Sequence, residues 1–183
     1  MKKQVLFVQG GGEGAHDEWD SKLVGSLERE LGPDYEIRYP HMPNEGDPKY
    51  ALWKAALKKE FAKFDDGAIL VAHSIGATIL INALAEEPSD SVPSGIFLIA
   101  APFVGKGGWS SEDILPMSDL GSRLQKRWRI YLYHGSEDDT APFGHVDLYE
   151  KAIPQAVGRR LAGRDHQLNE DMSEVAADIR RLE

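Results

Sequence analysis

The feature that most constrains the fold is a regular alternation of short, wholly apolar runs with longer segments of helical periodicity. Residues 5–8 and 68–72 are continuously apolar, which is typical of strands that are buried on both faces. Helical patterns follow these runs over residues 19–31 and 74–85. Because strands separated by helices are joined by parallel crossovers, the alternation predicts a doubly wound α/β fold.

The remaining elements extend this pattern to a mainly parallel, six-stranded sheet within one domain over residues 1–183. Further strands are predicted at 35–39, 95–101, 129–134 and 157–161, and further helices after Asp47–Pro48 and over 168–182. Pro48 is expected at the first position of its helix, with Asp47 as the cap. Residues 102–121 are rich in glycine, serine and proline, interrupt the alternation, and are predicted to form a short lid or cap.

The composition argues against several classes of protein. The chain has no cysteine, which excludes disulfides, thiolate metal sites and a cysteine nucleophile. Its formal net charge of −9 at pH 7 disfavours nucleic-acid binding, because phosphate backbones are repelled. The longest mostly apolar stretch, residues 77–85, is too short to span a bilayer. We therefore expect a cytoplasmic protein without membrane insertion, without nucleic acid and with no evident protein partner.

The most informative motif lies where a buried strand turns directly into a buried helix. Its sequence, VAHSIGA over residues 71–77, matches the GxSxG nucleophile elbow, with Ala72 in place of the first glycine. The serine of such an elbow lies in a strained turn, so its neighbours two positions away must be small, as Ala72 and Gly76 are. We predict Ser74 to be a nucleophile, the alternative being a serine that only caps a helix. His73 is predicted to be a packing residue.

An acid and a histidine follow Ser74 in the chain order that a hydrolase triad requires. After the fifth predicted strand, the segment GSEDDTAP places Asp138 where open α/β sheets carry their sites. Asp139 is the alternative acid, and Glu137 is a less favoured one. His166 follows the sixth predicted strand and precedes the last helix, so it is predicted to be the general base.

A glycine-rich loop, QGGG at residues 9–12, follows the first strand and offers backbone N–H groups. Gly11 and Ile75 are predicted to donate to the oxyanion that forms when a serine attacks a carbonyl group. The same glycines satisfy the dinucleotide fingerprint GxGxxA over residues 10–15. Two features disfavour a nucleotide: no acidic residue closes the second strand, and Asp17 is expected to cap the next helix and delay its start.

Several motifs together carry a resemblance to a known family. They are the glycine-rich first loop, a tryptophan at the first helix, the HSxG elbow, an acid shortly before Pro-Phe, and a late Asp-His pair. With them the chain resembles the small α/β-hydrolases of the retinoblastoma-binding-protein type and the bacterial YdeN type. The resemblance spans nearly the whole chain and implies a minimal α/β-hydrolase fold, with the triad roles taken by Ser74, Asp138 and His166.

These observations predict a serine hydrolase that cleaves small carboxylic esters through an acyl-enzyme intermediate, without a metal or an organic cofactor. Phe103, Trp109 and Phe143 are predicted to form an apolar pocket for the acyl group, the alternative being ordinary core or surface aromatic residues. Two other functions are open at this point. One alternative is a weak hydrolase-fold protein that serves as a protein-binding module. The other is an amide or thioester hydrolase.

Overall fold

The computed structural model describes residues 2–87 and 93–182, which build a central six-stranded parallel sheet. The strands are β1 (Lys3–Val8), β2 (Tyr35–Arg38), β3 (Ile69–His73), β4 (Gly95–Ile99), β5 (Ile130–Gly135) and β6 (Val157–Leu161). Their order across the sheet is β2-β1-β3-β4-β5-β6, and every described pair of neighbours is parallel. The predicted α/β fold is therefore confirmed, and each strand lies within two residues of its predicted bounds.

Helices cover both faces of the sheet. They are α1 (Ser21–Leu31), α2 (Tyr50–Phe61), α3 (Ser74–Glu86), α4 (Leu120–Arg123), α5 (His145–Ala152) and α6 (Ser173–Arg180). Side chains alternate along each strand, so Val5 and Phe7 of β1 pack with α1 and α6, whereas Leu6 and Val8 pack with α2 and α3. The sequence pattern did not predict α4 and α5, which are only 4 and 8 residues long.

Helix α2 begins later than the sequence predicted. It starts at Tyr50 with Lys49 at the capping position, so the prediction that Asp47 caps the helix and Pro48 opens it was wrong. Pro48 instead packs against the loop after β1, where its Cγ atom would lie 2.5 Å from a Cβ atom added to Gly11. This tertiary contact holds Pro48 outside the helix and overrides its local preference for the first helical turn.

Two other helix boundaries differ from their predictions. A π-helical segment, Ala15–Asp20, begins directly after Gly14, so Asp17 lies inside a helical turn and is not the expected cap. At the other end of the chain, the predicted helix over 168–182 is divided into a 3₁₀ turn, Leu168–Glu170, and α6. The three residues of that turn have positive φ values, which no continuous right-handed helix accepts.

The parallel sheet brings separate loops to one edge. The carboxyl ends of β1, β3, β5 and β6 all face this edge, so the loops that follow them meet there. These loops carry the glycine-rich segment, Ser74, Asp138 and His166. Within the described ranges, no helix has the length and the apolar character that crossing a bilayer demands.

Candidate active site

Ser74 lies in a strained turn between β3 and α3. Its φ angle is 52°, in the left-handed region that residues other than glycine rarely adopt. Gly76, in the first turn of α3, packs so closely on β1 that an added Cβ atom would lie 2.0 Å from the carbonyl oxygen of Gln9. Ala72 is fully buried between β1 and β4. The small residues therefore permit the close approach of strand and helix that holds the Ser74 hydroxyl at the edge of the sheet.

Replacing Gly76 with alanine is expected to destabilise the protein by about 3 kcal/mol, because the new methyl group would collide with backbone rather than with a movable side chain. Gly25 in α1 is the matched control, since an added Cβ atom there meets only the Arg29 guanidinium at 3.6 Å. Gly25→Ala is expected to stabilise the protein by about 0.5–1 kcal/mol. Urea denaturation measures both free energies of unfolding. Equal stability of the Gly76→Ala variant and the wild type would contradict the packing argument.

A chain of hydrogen bonds joins the three predicted triad residues. His166 Nε2 lies 2.9 Å from Ser74 Oγ, and His166 Nδ1 lies 2.8 Å from Asp138 Oδ2. Because a carboxylate only accepts, Nδ1 carries the proton and Nε2 accepts the hydrogen bond of the Ser74 hydroxyl. This is the tautomer that is able to take a proton from Ser74. Asp139 is exposed and accepts a hydrogen bond from the Thr140 hydroxyl instead.

The Asp138 carboxylate is enclosed by donors. Its side chain is fully buried, and Oδ1 accepts hydrogen bonds from the backbone N–H groups of Thr140 and Ala141 at 2.9 and 2.8 Å. His134 Nε2 lies 3.2 Å from Oδ2. Burial by itself raises the pKa of Asp138, but the hydrogen bonds from His134, His166 and Ala141 outweigh it and hold this pKa well below its usual range. The group is therefore a stable anion beside His166.

His134 is a residue that sequence reasoning missed. It is buried at the end of β5, donates through Nε2 to the carbonyl oxygen of Ala141 at 2.9 Å, and so anchors the turn that carries Asp138. The available signal was the spacing of four residues between His134 and Asp138 across the glycine that ends the strand. This spacing places a ring nitrogen and a carboxylate on the same side of a tight turn.

Two backbone N–H groups are free to bind a developing oxyanion. In the described part of the chain, no group accepts a hydrogen bond from Gly11 N–H. Ile75 lies in the first turn of α3, where N–H groups have no acceptor within the helix. The two residues adjoin, since an added Cβ atom on Gly11 would lie 2.9 Å from Ile75 Cγ2. Gly11 and Ile75 are the residues for which the sequence predicted an oxyanion hole, and this role stays a prediction.

His73 is buried, as predicted for a packing residue, but it also makes polar contacts that the sequence did not reveal. Its Nδ1 lies 2.9 Å from Asp20 Oδ1, and its Nε2 lies 2.9 Å from the carbonyl oxygen of His166. Burial lowers the pKa of His73, but the Asp20 carboxylate outweighs this effect and raises it. Burial likewise raises the pKa of Asp20, but His73 and the Gly10 N–H group hold it below its usual value.

The glycine-rich loop is closed by a carboxylate from another part of the chain. Glu45 accepts hydrogen bonds from the backbone N–H groups of Gly14 and His16 at 3.0 and 2.9 Å, and from Gln9 Nε2 at 2.5 Å. Burial raises the pKa of Glu45, whereas these hydrogen bonds lower it below the ordinary value. Although the helical segment begins directly after Gly14, a dinucleotide phosphate would need the same N–H groups, so this arrangement disfavours the nucleotide alternative.

One group of side chains in the described ranges has the residue types of a metal site. Ligand atoms of His16, Asp17 and His41 all lie within 4.8 Å of one another. The two imidazole rings stack, with centroids 3.4 Å apart and an angle of 24° between their planes. A metal ion in the plane of one ring would lie out of the plane of the other, so the stacked geometry fits a metal poorly. The expectation that the protein needs no metal stays a prediction.

A cavity of about 350 Å³ opens beside Ser74 and His166. Its lining residues come mainly from the loops at the carboxyl edge of the sheet: Gly10, Gly11, Gly12, Glu13, Ala15, Trp19, Asp20, His73, Ser74, Asp139, Thr140, Asp165, His166 and Gln167. Trp19, which is 52% exposed, is the large apolar side chain of this surface. None of the lining residues belongs to the segment 102–121. Its role as a lid stays a prediction.

The three aromatic residues predicted to form an acyl pocket lie elsewhere among the described residues. Phe103 packs edge-on against Tyr149, with ring centroids 5.0 Å apart. Trp109 and Phe143 make similar edge contacts with histidines outside the cavity. None of the three therefore lines this cavity: Phe103 and Trp109 contact α5, and Phe143 contacts His134 near the end of β5.

Comparisons with known proteins agree with the fold and identify the family of the chain. A family model described as serine hydrolase matches residues 5–140. The ydeN gene product of B. subtilis superposes with a TM-score of 0.78 at 16% identity, covering 99% of this chain and 98% of that one. A serine hydrolase involved in carbazole degradation, the CarC enzyme, gives 0.73 at 12% identity, covering 98% and 90%. The esterase domain of a Rhodothermus marinus protein gives 0.68 at 19% identity, covering 97% and 84%. No curated protein shows significant similarity in sequence.

Proposed function

The chain belongs to the serine hydrolase family, and from this premise we propose that it cleaves small carboxylic esters with Ser74 as the nucleophile. The observation that carries the proposal is the position of His166 between Ser74 and Asp138, at 2.9 and 2.8 Å. An exposed or loosely held serine would have no base within reach. The expected cytoplasmic location stays a prediction from the composition.

The proposed reaction has two acyl-transfer steps. The Ser74 oxygen attacks the ester carbonyl carbon while its proton passes to Nε2 of His166, and Asp138 stabilises the imidazolium that forms. The N–H groups of Gly11 and Ile75 hold the oxyanion. When the C–O bond to the alcohol breaks, His166 protonates the leaving oxygen and the acyl group stays on Ser74. Water then attacks the acyl carbon and gives its proton to His166, and Ser74 regains that proton as the carboxylic acid leaves.

The charge of the cavity points to the kind of ester that fits it. Glu13, Asp139 and Asp165 line the cavity, and no lysine or arginine lies among the described residues that do so. Asp20 also lines it, but its charge is paired with that of His73. The field at the entrance is therefore negative, which repels anionic substrates and attracts cationic ones. We propose neutral or cationic esters as the substrate class.

A matched pair of esters tests this charge preference. Acetylcholine and 3,3-dimethylbutyl acetate have the same shape, and only the first is charged. Three carboxylates at about 8 Å contribute about 0.5 kcal/mol each in water, which predicts a kcat/KM about tenfold higher for acetylcholine at low ionic strength. Titration of the released acid measures both rates. We expect Glu13→Gln combined with Asp165→Asn to reduce the preference, and equal rates for the two esters in the wild type would contradict it.

Labelling with a fluorophosphonate probe tests the proposed function directly, because such probes react with activated serines and not with ordinary ones. We expect the wild-type protein to be labelled, and a panel of short-chain esters, amides and thioesters to show turnover of the esters first. A folded protein that is neither labelled nor active on this panel would overturn the proposal. That outcome would favour the alternative that the chain is a protein-binding module. Faster turnover of amides or thioesters than of esters would reassign the substrate class.

A further inference from the structure

A second pair of aspartate and histidine lies beside the chain of hydrogen bonds that contains Ser74. The side chains of Asp20 and His73 are 1% and 2% exposed, and Oδ1 of the aspartate lies 2.9 Å from Nδ1 of the histidine. The second ring nitrogen of His73 lies 2.9 Å from the carbonyl oxygen of His166. A carbonyl oxygen and an ionised carboxylate only accept hydrogen bonds, and the pKa of Asp20 is held below its usual value, so both ring nitrogens carry protons. His73 is therefore an imidazolium, paired with the Asp20 carboxylate.

This pair contacts both the glycine-rich loop and the loop that carries His166. Asp20 Oδ2 accepts a hydrogen bond from Gly10 N–H at 2.6 Å, next to the proposed oxyanion donor Gly11. Its Oδ1 accepts a further hydrogen bond from Gln167 Nε2 at 3.3 Å, on the loop of His166. The glycine-rich loop and the His166 loop are far apart in the sequence and belong to strands that are not neighbours. The buried pair is a direct polar link between them.

Burying two charges is a poor way to stabilise a fold. Removing both groups from water carries a large desolvation cost, and an apolar pair of similar volume is often as stable. Hydrogen bonds from charged groups are, however, shorter and stronger than those between neutral groups, and they are more directional. An ion pair in this position is therefore better suited to fixing the orientation of its neighbours than to adding stability.

We propose that Asp20 and His73 are positioning residues, which hold the His166 backbone and the Gly10–Gly11 loop in the geometry that the proposed hydrolysis needs. The imidazolium of His73 fixes the carbonyl group of His166, and hence the ring that faces Ser74. The Asp20 carboxylate fixes the loop that presents Gly11 N–H. This inference rests on the proposed function, because it concerns the same site.

Two substitutions of His73 separate its two hydrogen bonds. The amide nitrogen of asparagine takes the place of Nδ1, so His73→Asn keeps a donor toward Asp20 and loses the donor to His166. The amide nitrogen of glutamine takes the place of Nε2, so His73→Gln keeps the donor to His166. A misplacement of about 1 Å costs about 100-fold in rate, so we expect kcat to fall by about 30-fold or more in His73→Asn. His73→Gln should retain a kcat at least about fivefold higher than His73→Asn.

The readouts are kcat and KM for p-nitrophenyl acetate, together with the rate of fluorophosphonate labelling. We expect the loss to appear in kcat and in labelling, with KM unchanged within about threefold, because the His73 side chain lines the cavity but is only 2% exposed. Asp20→Asn should also lower kcat by about tenfold or more, since it removes the charge that holds the Gly10 loop. Circular dichroism and thermal unfolding identify the folded variants.

Asp178 supplies the matched control. Its carboxylate is also buried and accepts hydrogen bonds from Tyr133 Oη at 2.8 Å and Arg159 Nε at 2.9 Å, but it does not line the cavity. Asp178→Asn should lower the unfolding temperature and leave kcat within about twofold of the wild type, since its neighbours do not touch the site.

The possible outcomes separate this inference from the proposed function. A folded His73→Asn variant with wild-type kcat would overturn the positioning role while leaving the proposed hydrolysis intact. Equal losses of kcat in His73→Asn, His73→Gln and Asp178→Asn would also overturn the positioning role. Such losses would reflect lower stability of the fold rather than a changed orientation of His166. A wild-type protein without labelling and without turnover would instead remove the proposed function itself.

Discussion

Replacing Ser74 with alanine is expected to abolish hydrolysis of p-nitrophenyl acetate, with kcat lower by about 10⁶-fold. The variant lacks the only oxygen that lies 2.9 Å from His166 Nε2 among the described residues, so no acyl-enzyme is able to form. His166→Ala is expected to have a loss of similar size, because nucleophile and base act as a unit. Fluorophosphonate labelling should disappear in both variants, and steady-state kinetics measures the loss of turnover.

A second serine controls for nonspecific labelling. Ser94 is half-buried, lies just before β4 at the opposite edge of the sheet, and donates its hydroxyl to the carbonyl oxygen of Gly67 at 2.8 Å. Ser94→Ala should be labelled as fast as the wild type. If Ser74→Ala kept a tenth or more of the wild-type activity while folded, another residue would be the nucleophile.

The second large effect is expected for Asp138→Asn, which should lower kcat by about 10⁴-fold. An asparagine retains an oxygen for the N–H groups of Thr140 and Ala141, so the turn that carries it is preserved. The hydrogens of its amide group would then face His166 Nδ1, where the wild type has a carboxylate oxygen. This favours the tautomer with the proton on Nε2, which is unable to accept the proton of Ser74.

The neighbouring acids make this prediction specific to one residue. Asp139→Asn and Glu137→Gln are expected to keep kcat for the same neutral ester within about threefold of the wild type, since neither side chain contacts His166. Steady-state kinetics at neutral pH compares the three variants directly. A larger loss in Asp139→Asn than in Asp138→Asn would show that Asp139 is the acid.

The sequence was most informative where local patterns correspond to local physical demands. Continuous apolar runs predicted the buried strands, because a strand covered on both faces has no position for a polar side chain. The small residues around Ser74 predicted the elbow, because the turn leaves no space for larger ones. The order of Ser74, Asp138 and His166 along the chain predicted the residues that meet, since parallel strands bring the following loops to one edge.

Local patterns were misleading where a distant residue changed the outcome. Pro48 and Asp47 have the residue types of a helix start, yet the contact of Pro48 with Gly11 moves that start to Tyr50. Phe103 and Trp109 are aromatic residues near strand ends, yet the structure directs them to the neighbourhood of α5 and leaves Trp19 at the cavity. In each case the direction of a side chain depended on packing rather than on the sequence nearby.

By itself, then, the sequence determined the parallel α/β sheet, the elbow around Ser74 and the identity of the residues that gather there. Only the tertiary structure decided which polar groups contact each other. Asp20 pairs with His73, His134 contacts Asp138, and Glu45 accepts hydrogen bonds from the glycine-rich loop. Hydrophobic periodicity reports which face of an element is buried, and so it predicts the layers of the fold. The partner of a buried charge is set by distances of about 3 Å between loops, and these distances exist only after the sheet and its helices have packed.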